Sequence, residues 1–233
     1  MTDRKVSYSA ITQRSLALVK LVLSRLNKRK NLMLSPRLAK LCLSLSMATL
    51  LQACAGSATA PRFNYDFGAL PISSLASNAK IAISLADVSA PATLDSNAML
   101  YRLDYDNAQM LRPYAQHRWS MPPAQLMTQR IKARMATADA TVVSVADGVS
   151  DLPILKIDLD EFTQIFSSAS QSHAQISLRA TLVKRNKLIA QRYFSLATKS
   201  DSADAPGGAK AMQIAVDSSI SEIMLWLQTN SGN

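Results

Sequence analysis

Hydrophobic positions recur with a period of two through much of the chain beyond residue 60, and with a period near four in two stretches. The switches between those periods mark out its elements. Phe63 to Gly68 reads as a first short strand. From Lys80 to Val88, Ile81, Ile83 and Leu85 alternate with smaller or polar residues, which predicts a half-buried strand. Pro91 to Asn97 predicts a turn, Met99 to Tyr105 a strand, and Gln109 to Arg112 a short strand before Tyr114. A helix is expected from about Ser120, with Ser120 as its N-cap, because Pro122 and Pro123 are tolerated only in a first turn. Met127, Ile131 and Met135 supply its apolar face. Thr141 to Val145 is a further core strand. Leu155, Ile157 and Leu159 then point inward, with Lys156 and Asp158 outward. Phe162 and Phe166 fall out of phase with them, so a bulge is expected near Asp160-Glu161. Ala174, Ile176, Leu178, Ala180 and Leu182 make the next inward face, and Arg185-Asn186-Lys187 turns the chain into a partner strand through Leu196. After Asp204-Ala-Pro-Gly-Gly, a last helix carries Met212, Val216, Ile220, Ile223 and Leu227 on one stripe. The pattern predicts an α+β domain, with a mostly antiparallel or mixed sheet and two helices packed on one face.

Ahead of this domain, Arg37 and Lys40 precede an apolar run from Leu41 to Leu51. The run has the length of a signal-peptide core and falls well short of the roughly 20 residues a spanning helix needs. It ends in Leu51-Gln52-Ala53-Cys54, which resembles a bacterial lipobox, with Cys54 as the lipid-modified first residue of the mature chain. The expected organisation is a signal region over 1–53, a lipidated tether over 54–62 and a single periplasmic domain over 63–233. Ala55, rather than Asp, follows the cysteine, which points to the outer membrane. A signal beginning at Met33 would suffice, so residues 1–32 read as an upstream start. The alternative is a basic amphipathic extension carrying Leu16, Val19, Leu23 and Leu26 on one face.

This division changes the meaning of the charge. The chain carries a formal +10, but residues 1–40 hold ten Lys/Arg against Asp3 alone, leaving +1 for the rest. The mature domain therefore has no electrostatic reason to bind phosphate backbones, and a nucleic-acid role falls away. Cys42 leaves with the signal, so Cys54 is the mature chain's sole cysteine and no internal disulfide can form.

Residues suited to catalysis are few. His117 and His173 are the only histidines, so a His/Cys metal cluster is not available and no cofactor is expected. Asp158, Asp160 and Glu161, like Asp104 and Asp106, read as solvated strand faces. Gly207-Gly208 reads as helix-start punctuation, since no phosphate-binding or nucleophile motif surrounds it. An aromatic and basic cluster is the better candidate. Tyr101, Arg102, Tyr114, Arg118 and Trp119 fall close together around the first helix, and such side chains dominate interface energetics. Against a partner-docking surface stands the reading that Trp119 and Tyr114 cap the core with Arg118 stacked above. Trp226 departs from its helix's stripe and reads as core edge, self-association surface or membrane contact.

The series Phe67-Gly68, Met99-Leu-Tyr-Arg102, Tyr114…Arg118-Trp119…Pro122-Pro123…Leu126 resembles the ABC-type transport auxiliary lipoprotein family, which includes the lipoprotein of the paraquat-inducible system. Phe162…Phe166, Arg192-Tyr-Phe194 and a final helix ending in Trp226 continue the match across residues 63–228. His117 and Ser120 depart from the family's pattern beside Arg118-Trp119. The resemblance implies a non-catalytic component at the outer-membrane end of an MCE-type lipid transport system, with an MCE-domain protein as its partner. Two other readings remain. One is an envelope-integrity or outer-membrane assembly adaptor. The other is a tethered lipid carrier, which would need an apolar cavity.

Overall fold

The computed structural model describes residues 61–70 and 81–230; Leu51 to Cys54 and the whole leader lie outside them. Its spine is the fifteen-residue strand β6 (Ile154–Ser168). Before it come β1 (Phe63–Tyr65), β2 (Ala82–Leu85), β3 (Ala98–Leu103), the one-turn helix α1 (Asp104–Asn107), β4 (Ala108–Trp119), helix α2 (Pro123–Thr137) and β5 (Thr141–Ser144). After it come β7 (Gln171–Lys184), β8 (Lys187–Lys199) and helix α3 (Ala205–Asn230).

One edge of β6 pairs antiparallel with β7 along nearly its full length, and β7 pairs the same way with β8. The other edge is shared. Near its start β6 takes β2 as a parallel neighbour, through Leu85 opposite Leu155, and β2 in turn carries β5. Near its end β6 takes β3, through Tyr101 opposite Gln164, and β3 leads on to β4 and β1. The sheet is therefore mixed and forks along β6. Parallel neighbours need a crossover; α2, between β4 and β5, lies in the one that joins β2 to β5.

The bulge appears where the sequence placed it. The register with β7 slips between Leu159 and Glu161, which returns Phe162 to the inward side that Leu159 faces. Leu155, Ile157, Leu159 and Phe162 are all essentially solvent-free, as are Ile176, Leu178, Ala180 and Leu182 on β7. The Arg185-Asn186 turn places both residues at positive φ, 50° and 61°. That is the backbone a two-residue hairpin requires to match strand twist.

Both helices cover one face. α3 lies over β7 and β8 and also packs on α2. Met212, Val216, Ile220, Ile223 and Leu227 are buried beneath α3, and Met127, Ile131 and Met135 beneath α2. Each such side chain is worth about 1.5–3 kcal/mol of burial. Between the helices, Arg130 reaches Asp217 through two hydrogen bonds of 2.8 and 2.7 Å and donates a third to the Gly68 carbonyl. Arg134 donates to Ser221 Oγ and sits 4.0 Å from the same carboxylate.

Three expectations need correction. The first long helix begins at Pro123 with Pro122 at the N-cap position and no side-chain cap, so Ser120 does not cap it. Ser120 instead lies in a bend just past the strand, its amide donating to the Tyr65 carbonyl. The short strand at 109–112 is the start of a twelve-residue strand through Trp119. Tyr105, expected at the end of a strand, sits on α1.

Candidate functional site

Tyr101, Arg102, Tyr114, Arg118 and Trp119 lie on β3 and β4, not around a helix, and the sheet separates them. Trp119 is 2% exposed and packs edge-on against Phe67 and Phe162, so its ring belongs to the core. Arg118, between His117 and Trp119, faces the helix-free side of the sheet by strand alternation. Its Nε is shielded from solvent and has no hydrogen-bond acceptor among the described residues. Arg102 lies 4.0 Å from Glu161 and donates to the Ala108 carbonyl.

Tyr101 and Tyr114 meet on the helix side, with ring centroids 4.6 Å apart, and Phe166 closes edge-on against Tyr101. The backbone explains how Tyr114 gets there. From Ala98 to Leu100, β3 takes two steps; β4 takes five between their partners Arg118 and Pro113. The surplus makes Tyr114 to His117 bulge from the ladder, a device that re-aims side chains.

Tyr114 donates its hydroxyl to Gln164 Oε1 at 2.9 Å, and burial, then Tyr101 and Asp204, push the phenol's pKa well up. Gln164 is itself buried. Its Nε2 donates to Ser172 Oγ and to the Asp204 carbonyl. Asp204 caps α3: its carboxylate accepts from the Gly207 amide at 2.8 Å and from the Ser202 hydroxyl, and the Ser202 bond, then the Gly207 one, hold it below the usual carboxylate range. Gly208 is required by this junction. A Cβ there would lie 1.9 Å from Gln164 Oε1, so the Gly-Gly pair permits close approach as well as a helix start. Gln164 escaped the sequence reading because a lone Gln among strand residues carries no motif.

Beside this node, the Tyr65 hydroxyl and His117 Nδ1 share a hydrogen bond of 2.9 Å. Phe63 stacks on the imidazole at 5.1 Å. The carboxylates diverge: Asp158 accepts from Ser89, Asp160 faces Arg179, Glu161 faces Arg102 and Asp106 pairs with Arg112. Among the described residues, no three His, Cys, Asp or Glu side chains gather to hold a metal. Trp226 resolves to core edge, 8% exposed and edge-on to Phe194.

Fold and site define a helix-backed mixed-sheet domain whose distinctive side chains form surfaces and structural nodes. The chain belongs to the family of ABC-type transport auxiliary lipoprotein components, whose model matches residues 68–224. The family expected from the residues is thus the one found. The fold is similar to that of protein XCC0632 from Xanthomonas campestris, with 21% identity and a TM-score of 0.62 over 73% of this chain and 95% of that one. A second solved structure, of an uncharacterized protein, is similar at 15% identity and a TM-score of 0.59 over 72% and 99%. No curated protein sequence matches this chain.

Proposed function

We propose that this lipoprotein is anchored in the outer membrane through Cys54 and serves an MCE/ABC-type intermembrane lipid transporter as a non-catalytic docking or exit component. The observation that carries this is the family match over residues 68–224, lying downstream of the Leu51-Gln52-Ala53-Cys54 lipobox. Two or more acyl chains give stable attachment, and a tethered domain meets a membrane-spanning partner at high local concentration.

The partner-facing surface is the helix-free side of the sheet around Arg102 and Arg118. Both arginines are partly exposed there, and a partly exposed guanidinium can take a carboxylate or carbonyl brought by a partner. The carrier reading finds less support. The groove of about 520 Å³ beside α2 is lined by Asp87, Asp95, Gln125, Gln129 and Lys132 among others, side chains that suit water better than acyl chains.

In-cell crosslinking of the tagged full-length protein, followed by mass spectrometry, tests the proposal. Recovery of an MCE-domain protein or its permease supports it; barrel-assembly or peptidoglycan proteins in their place would favour the adaptor. Arg102→Ala with Arg118→Ala should abolish that recovery while leaving the fold intact.

A further inference from the structure

The three-residue strand β1 is where the described domain begins, and the chain upstream of it leads to Cys54. The side chains gathered there form an aromatic surface whose hydroxyls are satisfied within the domain, Tyr65 on His117 and Tyr114 on Gln164, so that ring faces and edges are what they offer outward, as aromatic side chains do near the acyl boundary. Phe63 is 48% exposed although its ring stacks on His117. His117 is held in turn by the Tyr65 hydroxyl and meets Tyr114 edge-on at 5.9 Å. The five-for-two slip of β4 against β3 sets Tyr114 and His117 beside β1. These rings are pre-ordered by their mutual contacts, so covering them costs little further side-chain entropy.

What covers them follows from the length of chain upstream. Eight residues, Ala55 to Arg62, separate Cys54 from Phe63, a reach of about 26 Å at full extension. The opposite sheet edge is β8, five strand spacings from β1, or roughly 24 Å. The β1 edge is therefore always held within about 26 Å of the bilayer, whereas the β8 edge can lie a further sheet width away.

We propose that the patch formed by Phe63, Tyr65, Tyr114 and His117 rests on the lipid bilayer, so that the domain stands edge-on against the membrane that holds its anchor. This rests on lipid attachment at Cys54.

The test uses the lipidated protein in vesicles of phosphatidylethanolamine and phosphatidylglycerol, some carrying a nitroxide on the fifth acyl carbon. With the mature chain's sole cysteine lipidated, an introduced thiol is the only one that takes an environment-sensitive fluorophore. Three single variants are labelled: Phe63→Cys, Ala115→Cys in the same bulge, and Tyr193→Cys on β8, where the native side chain is 55% exposed. Ala115 is exposed, so Ala115→Cys keeps the test valid should Phe63→Cys fold poorly. The labels at 63 and 115 should shift to the blue and lose most of their emission to the nitroxide lipid, while the label at 193 should not change. Unquenched labels at both 63 and 115, or quenching at 193 in their place, would overturn the proposal. So would burial at 63 that appears only when a partner protein is added. Intact mass separates the two levels: a protein without lipid on Cys54 removes the anchored reading and this surface together, whereas a lipidated protein with unquenched labels removes the surface alone.

Discussion

β6, β7 and β8 pair residue by residue along strands of thirteen to fifteen residues, broken only by local slips. Across β6, the arm of β3, β4 and β1 is held by far fewer pairs and contains the five-for-two slip. Long strands of regular alternation let α3 and α2 bury a continuous apolar face, so this body carries the stability. The arm gives up ladder hydrogen bonds and gains side chains aimed where the pleat would not have put them. Regularity builds the core here, and irregularity re-aims the side chains of the arm.

The largest effect expected is in the body. Asp217→Ala leaves Arg130 and Arg134 buried without their carboxylate, and should cost about 4 kcal/mol in urea unfolding. At the junction of body and arm, Gly208→Ala forces Gln164 from its position and should cost about 3 kcal/mol, through overpacking and broken buried hydrogen bonds. A loss below about 1 kcal/mol there would mean that the amide can move aside freely, and the junction would be softer than its geometry implies.

Smaller changes sharpen the contrast. Tyr114→Phe removes one donor to Gln164 and should cost about 1 kcal/mol, with the rings still stacked. Asp204→Ala removes the α3 cap at a similar cost of about 1 kcal/mol. That loss carries a pH signature. The folded carboxyl is held below its ordinary value of 3.8, so its contribution is present above that value and disappears as pH falls through the folded one. Parallel melts should show wild type and variant separated at neutral pH and converging in acid. Arg185→Gly, at φ 50° in the β7–β8 turn, should leave stability unchanged or raise it by about 0.5 kcal/mol.

The same contrast explains what was legible beforehand. Alternation over β6 to β8 and the stripe on α3 announced themselves because each side chain's partner lies at a regular spacing. Even the Asp160 bulge showed, as a phase shift between Leu159 and Phe162. The arm hid its organisation for the opposite reason. Tyr114 to His117 have no period, and β4 ran on to Trp119, past the end that Gln109 to Arg112 had marked. Trp119 carries the side chain of a docking hot spot, yet it follows the bulge on the inward side. The Tyr114–Gln164–Asp204 chain joins three distant segments by single polar atoms, and no local pattern encodes that. The Arg130–Asp217 clasp, 87 positions apart, was hidden in the same way.

The brevity of β1 has a mechanical side. The described domain begins with a strand of three residues, paired in parallel with β4. A pull on an anchored N-terminus would load those few backbone bonds in shear before any stress reached β6. With an anchor at Cys54, β1 would be the first element to yield, while β6 to β8 and their helices stay folded behind it.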